Sequence, residues 1–135
     1  DAHAPTSAQW GYENRTTAIR IPGGDLASKR IEHRVAGGDT NPYLVMTAIL
    51  GSALLGIEKK LNPIKPVMNN AYNNGAENLG LNWEDAMNYF ENDKDIKKIF
   101  SNEIIENLVR TKRQELNEFK KIESSKHWKY YVSAI

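Results

Sequence analysis

Two stretches near the start of the chain alternate apolar and polar residues with a period of two. In residues 16–21, Thr17, Ile19 and Ile21 alternate with Thr16, Ala18 and Arg20. In residues 30–35, Ile31, His33 and Val35 alternate with Arg30, Glu32 and Arg34. A period of two places successive side chains on opposite faces of a strand. Pro22-Gly23-Gly24 stops the first run and Ala36-Gly37-Gly38 the second. The pattern therefore predicts two short strands, paired as an antiparallel hairpin. Residues 1–13 hold small and polar types apart from Trp10 and Tyr12, and read as a loop.

The pattern then changes to helical. Asn41 can accept the free N–H groups of a first turn, and Pro42 loses no needed donor at the first helical position, so a helix is expected over 42–61. Its apolar residues lie all round through Ile57, and Gly51, Ser52, Ala53 and Gly56 allow close approach of another backbone, which predicts a core helix covered on most sides. Residues 62–82 form an Asn-rich connector without steady periodicity, long enough to wrap a surface or meet a partner. Asn82, Asp93 and Ser101 then cap expected helices over 83–91, 93–100 and 102–122. In the last of these Ile104, Ile105, Leu108, Val109, Leu116, Phe119 and Ile122 form one stripe. The aromatic tail, 127–135, fits either a strand or a helix. The fold class is α+β: a β-hairpin packed on a long buried helix, followed by a helical layer. The chain divides into a loop and hairpin (1–40), a core helix (41–61), a long loop (62–82) and a helical region (83–135).

Composition narrows the choice of function. With 135 residues, 40% apolar and 26% charged, the chain suits one ordinary globular domain. A net charge of +1 gives no general attraction to nucleic acid or to acidic membrane. The absence of cysteine excludes a disulfide framework, a thiolate zinc site and a cysteine nucleophile. The longest apolar stretch, 43–57, is interrupted by Thr47, Gly51, Ser52 and Gly56 and is short of a membrane span. A cytoplasmic location is expected. The chain starts at Asp1 without a signal-peptide pattern and reads as an excised piece.

Chemistry concentrates on the second strand, where Arg30, Glu32 and Arg34 share a face. A hairpin adds Arg20, with Arg15 just ahead of the first strand, so that four arginines and a glutamate gather on one surface. Guanidinium groups bind phosphate and carboxylate through paired planar hydrogen bonds, and several together neutralise charge that shifts during phosphoryl transfer. Glu32 is then a local counter-ion or a hard oxygen ligand for magnesium. Spacing alone does not separate such a site from a solvated face with weak ion pairs. Other candidates read as structural: His33 on the opposite strand face, His3 and His127 without neighbours at metal-ligand spacing, and Trp83, Tyr89 and Phe90 as core anchors. Trp128, Tyr130 and Tyr131 read as packing or subunit contact, and Arg110, Lys112 and Arg113 as a solvated face offset by Glu106 and Glu115.

Three motifs in order supply the missing discrimination. Asn14-Arg15-Thr16-Thr17-Ala18-Ile19-Arg20-Ile21-Pro22, Arg30-Ile31-Glu32-His33-Arg34 and Asn41-Pro42-Tyr43-Leu44 resemble the closing part of the glutamine synthetase catalytic domain. The framing runs Trp10-Gly11-Tyr12-Glu13 and Val35-Ala36-Gly37-Gly38-Asp39 are similar to the branch that includes γ-glutamylpolyamine synthetases. The resemblance implies a ligase of glutamine biosynthesis and nitrogen metabolism, which uses ATP with Mg2+ or Mn2+ to make an acyl phosphate of glutamate that ammonia or another amine displaces. It implies Arg15 at the transferred phosphate and glutamate, Arg20 and Arg30 at the nucleotide phosphates, Glu32 at a divalent metal and Arg34 at glutamate or its phosphate. It further implies a homo-oligomeric ring. Lys29 stands too near Arg30 to match the family's ATP-contacting lysine. The remaining metal ligands of such an enzyme lie upstream in the family, so the fragment is expected to be inactive. The rivals are a glutamate–polyamine ligase and a non-catalytic anion-binding or assembly module.

Overall fold

The computed structural model describes residues 4–80 and 82–132, without the side chains of Tyr130 and Tyr131. The chain divides into two compact units, Asp1–Leu79 and Gly80–Ile135. His3, Leu81 at the end of the connector and residues 133–135 of the tail lie outside the described residues.

The first unit holds a three-stranded sheet, β1 (Trp10–Tyr12), β2 (Ile19–Ile21) and β3 (Glu32–His33), in that spatial order. β2 and β3 are antiparallel, with Ile19 opposite His33 and Arg20 opposite Glu32, which is the expected hairpin. β1 is the correction to the expected loop over 1–13: it runs parallel to β2 with Trp10 beside Ile19 and Tyr12 beside Ile21. Three residues are too few to carry a periodic signal, and β1 exists because both its edges find partners. On one edge is β2. On the other, Val67 N donates to the Trp10 carbonyl at 2.9 Å and the Trp10 indole donates to the Ile64 carbonyl at 2.7 Å. A Cβ on Gly11 would stand 2.6 Å from the Val67 carbonyl, so only glycine admits the connector so close. Parallel strands usually need a crossover of about a dozen residues. Here the return is short, because a strand of three residues spans only about 10 Å, and Glu13 turns the chain with φ 50°.

The connector is therefore partly bound. Leu79 N donates to the Thr6 carbonyl at 2.9 Å, and Ser7 bridges to Asn78. The buried set of this unit is small: Ala18, Val67 and Ala71, with Ser7, Gln9, Gly11, Thr17 and Pro22.

Helix α1 (Pro42–Glu58) starts where expected, with Asn41 Oδ1 accepting from Tyr43 N at 3.0 Å and Leu44 N at 3.3 Å. Its burial differs from the expectation of a long buried helix. None of its residues is buried; Tyr43 is 83% and Ile57 74% exposed. A helix apolar all round needs cover on several sides, and the described residues do not supply it. Ile31 and Val35 on the outer face of the hairpin are exposed as well.

The second unit is helical: α2 (Trp83–Asn92), α3 (Ile96–Ile99), α4 (Asn102–Phe119) and α5 (His127–Val132). Two of the expected caps are in place: Asn82 Oδ1 accepts from Asp85 N at 2.8 Å and Ser101 Oγ from Ile104 N at 3.3 Å. Helix α3 is shorter than expected and has Asp95 at its N-cap position, while Asp93 Oδ1 accepts from Ile96 N at 2.9 Å from the turn ahead of it. Glu84 pairs with Lys120 at 3.3 Å and Glu91 with Arg113, so α2 and α4 run antiparallel. Met87, Phe100, Ile105 and Val109 are buried, with Phe90 5.8 Å from Phe100 and Trp83 6.0 Å from Phe119 between ring centres. Tyr89 is exposed and anchors no core. Over its described residues, 127–132, the tail resolves the open choice as a helix.

Candidate functional site

The hairpin register sets Arg20 directly opposite Glu32, and directly opposed residues share a face. Arg20 Nη1 donates to Glu32 Oε2 at 2.8 Å, and Arg30 Nη2 donates to Glu32 Oε1 at 3.1 Å. Both oxygens of Glu32 are thus held by guanidinium groups. Arg20 has a second carboxylate partner that the strand pattern does not reveal: its Nη2 donates to Glu13 Oε2 at 2.8 Å, while Glu13 Oε1 accepts from Gly23 N. The Arg20 side chain is only 12% exposed, and its Nε is buried with no hydrogen-bond partner among the described residues. The Arg20 guanidinium holds the Glu32 carboxyl below the usual carboxylate range. The Gly23 amide, and then Arg20, do the same for Glu13. Arg20 is correspondingly raised, first by Glu13 and then by Glu32.

Arg34 and Arg15 meet one step along the hairpin. Arg34 Nη2 donates to the Arg15 carbonyl at 2.9 Å, and Arg34 N donates to the Ala18 carbonyl at 2.9 Å. The Arg15 side chain itself is exposed. So Arg20, Arg30 and Glu32 form one ion cluster, while Arg34 reaches Arg15 through its backbone. Together with Glu13, the four arginines and two glutamates leave two positive charges in a chain whose net charge is +1.

The turn that carries Arg15 is fixed by its neighbours. Asn14 Oδ1 accepts from Thr16 N at 3.0 Å and from Thr16 Oγ1 at 2.6 Å, and Asn14 Nδ2 donates to the carbonyls of Val67 at 3.0 Å and Asn69 at 2.8 Å. Thr16 Oγ1 in turn accepts from Ala71 N at 2.9 Å. The fully buried Thr17 donates to the Asn14 and Ile19 carbonyls. Asn14→Ala removes both halves of this staple and strands the partly buried Val67 carbonyl, so this unit is expected to lose about 2 kcal/mol of stability, read as a lower urea midpoint. An unchanged midpoint would show that the connector is held elsewhere.

The loop after β2 has Asp25 Oδ1 accepting from Ser28 N at 2.9 Å, and Lys29 is exposed. Among the described residues no group of three or more His, Asp or Glu could hold a metal ion. Glu32 offers a hard oxygen, but one carboxylate does not make up the near-octahedral set that magnesium requires. The donors present do not form a metal centre on their own.

The hairpin thus carries an arginine–glutamate–arginine cluster beside an Asn-Arg turn stapled to the following connector. The chain belongs to the family described as glutamine synthetase, catalytic domain, which matches residues 1–131. Among curated proteins it is 36% identical over 124 residues to γ-glutamylputrescine synthetase PuuA of Escherichia coli, covering 89% of this chain and 25% of that protein. It is 37% identical over 115 residues to glutamate–isopropylamine ligase of a Pseudomonas species, covering 83% of this chain and 25% of that one. It is 36% identical over 124 residues to glutamine synthetase of Sulfolobus acidocaldarius, covering 83% and 26%. The chain spans about a quarter of the length of these relatives. No helix among the described residues is long and apolar enough to cross a membrane.

Proposed function

We propose that this chain is the closing part of the catalytic domain of an ATP-dependent ligase that joins the γ-carboxylate of glutamate to ammonia or to an organic amine. The observation that carries this reading is the Arg20–Glu32–Arg30 cluster, with the buried, unpartnered Nε of Arg20, in a chain of this family. In the first step an oxygen of the glutamate γ-carboxylate attacks the terminal phosphorus of ATP, and the bond to ADP breaks. In the second the amine nitrogen attacks the carbonyl carbon, inorganic phosphate leaves, and the nitrogen loses a proton. Arg20 and Arg30 bind the nucleotide phosphates, and Arg15 the transferred phosphate. Arg34, braced on the Arg15 carbonyl, balances the charge of the acyl phosphate. Glu32 would offer one oxygen ligand to Mg2+ or Mn2+, with the remainder supplied by other parts of a longer polypeptide, so the 135-residue chain alone is inactive. The same reading carries a homo-oligomeric ring and a cytoplasmic location for that polypeptide.

An organic amine is the second reading, supported by 36–37% identity to ligases named for putrescine and isopropylamine, beside 36% to a glutamine synthetase. Release of ADP by the full-length polypeptide with glutamate and either ammonia, putrescine or isopropylamine separates the two. In the same assay Arg34→Ala lowers turnover by at least about a hundredfold, the usual effect of removing one preorganised charge donor. Near-normal turnover would remove Arg34 from the chemistry. Absence of ATP binding would leave only an anion-binding or assembly module.

A further inference from the structure

Glu13 stands at the end of β1 with its backbone in the left-handed region, φ 50°, a conformation uncommon outside glycine and asparagine. Its N–H donates to the Ile21 carbonyl at 3.0 Å, so the residue is fixed beside the end of β2. Its two carboxylate oxygens go to different partners: one to Arg20 Nη2 and the other to Gly23 N in the turn that follows β2. Such a bridge fixes a guanidinium relative to the backbone of the very turn that leads away from it. The carboxylate is 57% exposed while its arginine partner is 12% exposed, so Glu13 approaches Arg20 from the solvent side. Glu32 approaches it from the strand opposite.

We propose that Glu13 is a positioning residue for Arg20 in the nucleotide-phosphate site, a proposal that rests on the function stated above. The need for it follows from the length of the arginine side chain: Glu32 holds the Arg20 guanidinium from the opposite strand, and Glu13 holds it from the solvent side while tying it to the Gly23 turn. With Glu13 in place the guanidinium stays where a phosphate oxygen can meet it. Without it a long, flexible side chain must be ordered by the ligand itself, at the ligand's expense in affinity.

The test uses the full-length polypeptide and two variants, Glu13→Gln and Arg20→Ala, titrated with ATP by calorimetry and assayed for turnover. Glutamine keeps the size of the side chain and one acceptor, but offers no charge and cannot accept from Gly23 and Arg20 with separate oxygens. Glu13→Gln is expected to weaken ATP binding about tenfold, the low end of the range for losing a partner that orients a ligand-binding group, because Glu13 is exposed. The KM for glutamate stays as it was, and the thermal midpoint falls only by the small amount that loss of one exposed ion pair costs. Glu13→Asp, which is one methylene short, restores the charge without both contacts and is expected to fall between. Weaker ATP binding in Arg20→Ala but not in Glu13→Gln would overturn the role of Glu13 alone. No effect in either would overturn the nucleotide site, and this proposal with it. A rise in the KM of the amine in place of ATP would make Glu13 an amine-binding group, and a fall in thermal midpoint beyond that small amount, with every constant, would make it a structural brace; both would overturn the proposal.

Discussion

Arg20→Ala in the full-length polypeptide is expected to lower turnover by about a hundred- to a thousandfold, the largest loss of any single change in the cluster. Arg20 is the one side chain that both carboxylates share, at 2.8 Å each. Its removal deletes a preorganised donor and leaves Glu13 and Glu32 as an anionic pair at the proposed nucleotide-phosphate site. Glu32 keeps Arg30, but that pair is longer, 3.1 Å, and its arginine is more than half exposed. Arg20→Lys should rescue only a part, because one ammonium cannot bridge two carboxylates in the plane of a guanidinium. The pH profile of stability supplies a second readout. Both glutamates titrate below their ordinary value of 4.5 when folded, so the pairs contribute fully above that pH and lose their contribution as the pH falls through the lowered values. A urea midpoint that falls on acidification below 4.5 in the native sequence, and less steeply in Arg20→Ala, is the expected pair of curves. Identical curves would show that these ion pairs are not formed in solution.

The isolated 135-residue chain is expected to show no ligase activity at all and to bind a hydrophobic dye strongly. The two expectations have separate causes. Activity fails because Glu32 has no companions for a metal among the described residues. Dye binds because α1 presents Met46, Leu50, Leu54 and Ile57 to solvent, with Ile31 and Val35 of the hairpin exposed in the same unit. A helix of 17 residues without a buried face is marginal in water. Its amides should therefore exchange much faster than those of α4, whose Ile105 and Val109 are buried. Equal protection of α1 and α4 would mean that α1 has found cover, by association of copies for example, and sedimentation would reveal it. Turnover by the isolated chain would refute the metal argument outright.

How far each feature could be read in advance depends on the range of the interactions that create it. The caps Asn41, Asn82 and Ser101 act within one turn of chain, and helices α1, α2 and α4 begin where those residues place them. The β2–β3 hairpin follows from alternation over six residues or so, and with it the meeting of Arg20 with Glu32. The end of α4 was harder: the apolar stripe continues to Ile122, but the helix stops at Phe119 with Lys120 as its cap, because no local residue enforces either limit. β1 and the docked connector lay beyond reach for a related reason. Each is held by hydrogen bonds between residues more than fifty positions apart, such as Trp10 with Ile64 and Asn14 with Asn69.

The order and character of residues along the chain were enough to establish the family, the helix starts, and a strand face that collects arginines around Glu32, since each of these depends on neighbours a few positions away. Tertiary structure alone decided that Asn14 staples the Arg15 turn, that Glu13 is the second carboxylate on Arg20, and that α1 remains exposed in this chain. Those outcomes depend on which distant groups arrive at the same point in space, and periodicity carries no record of them.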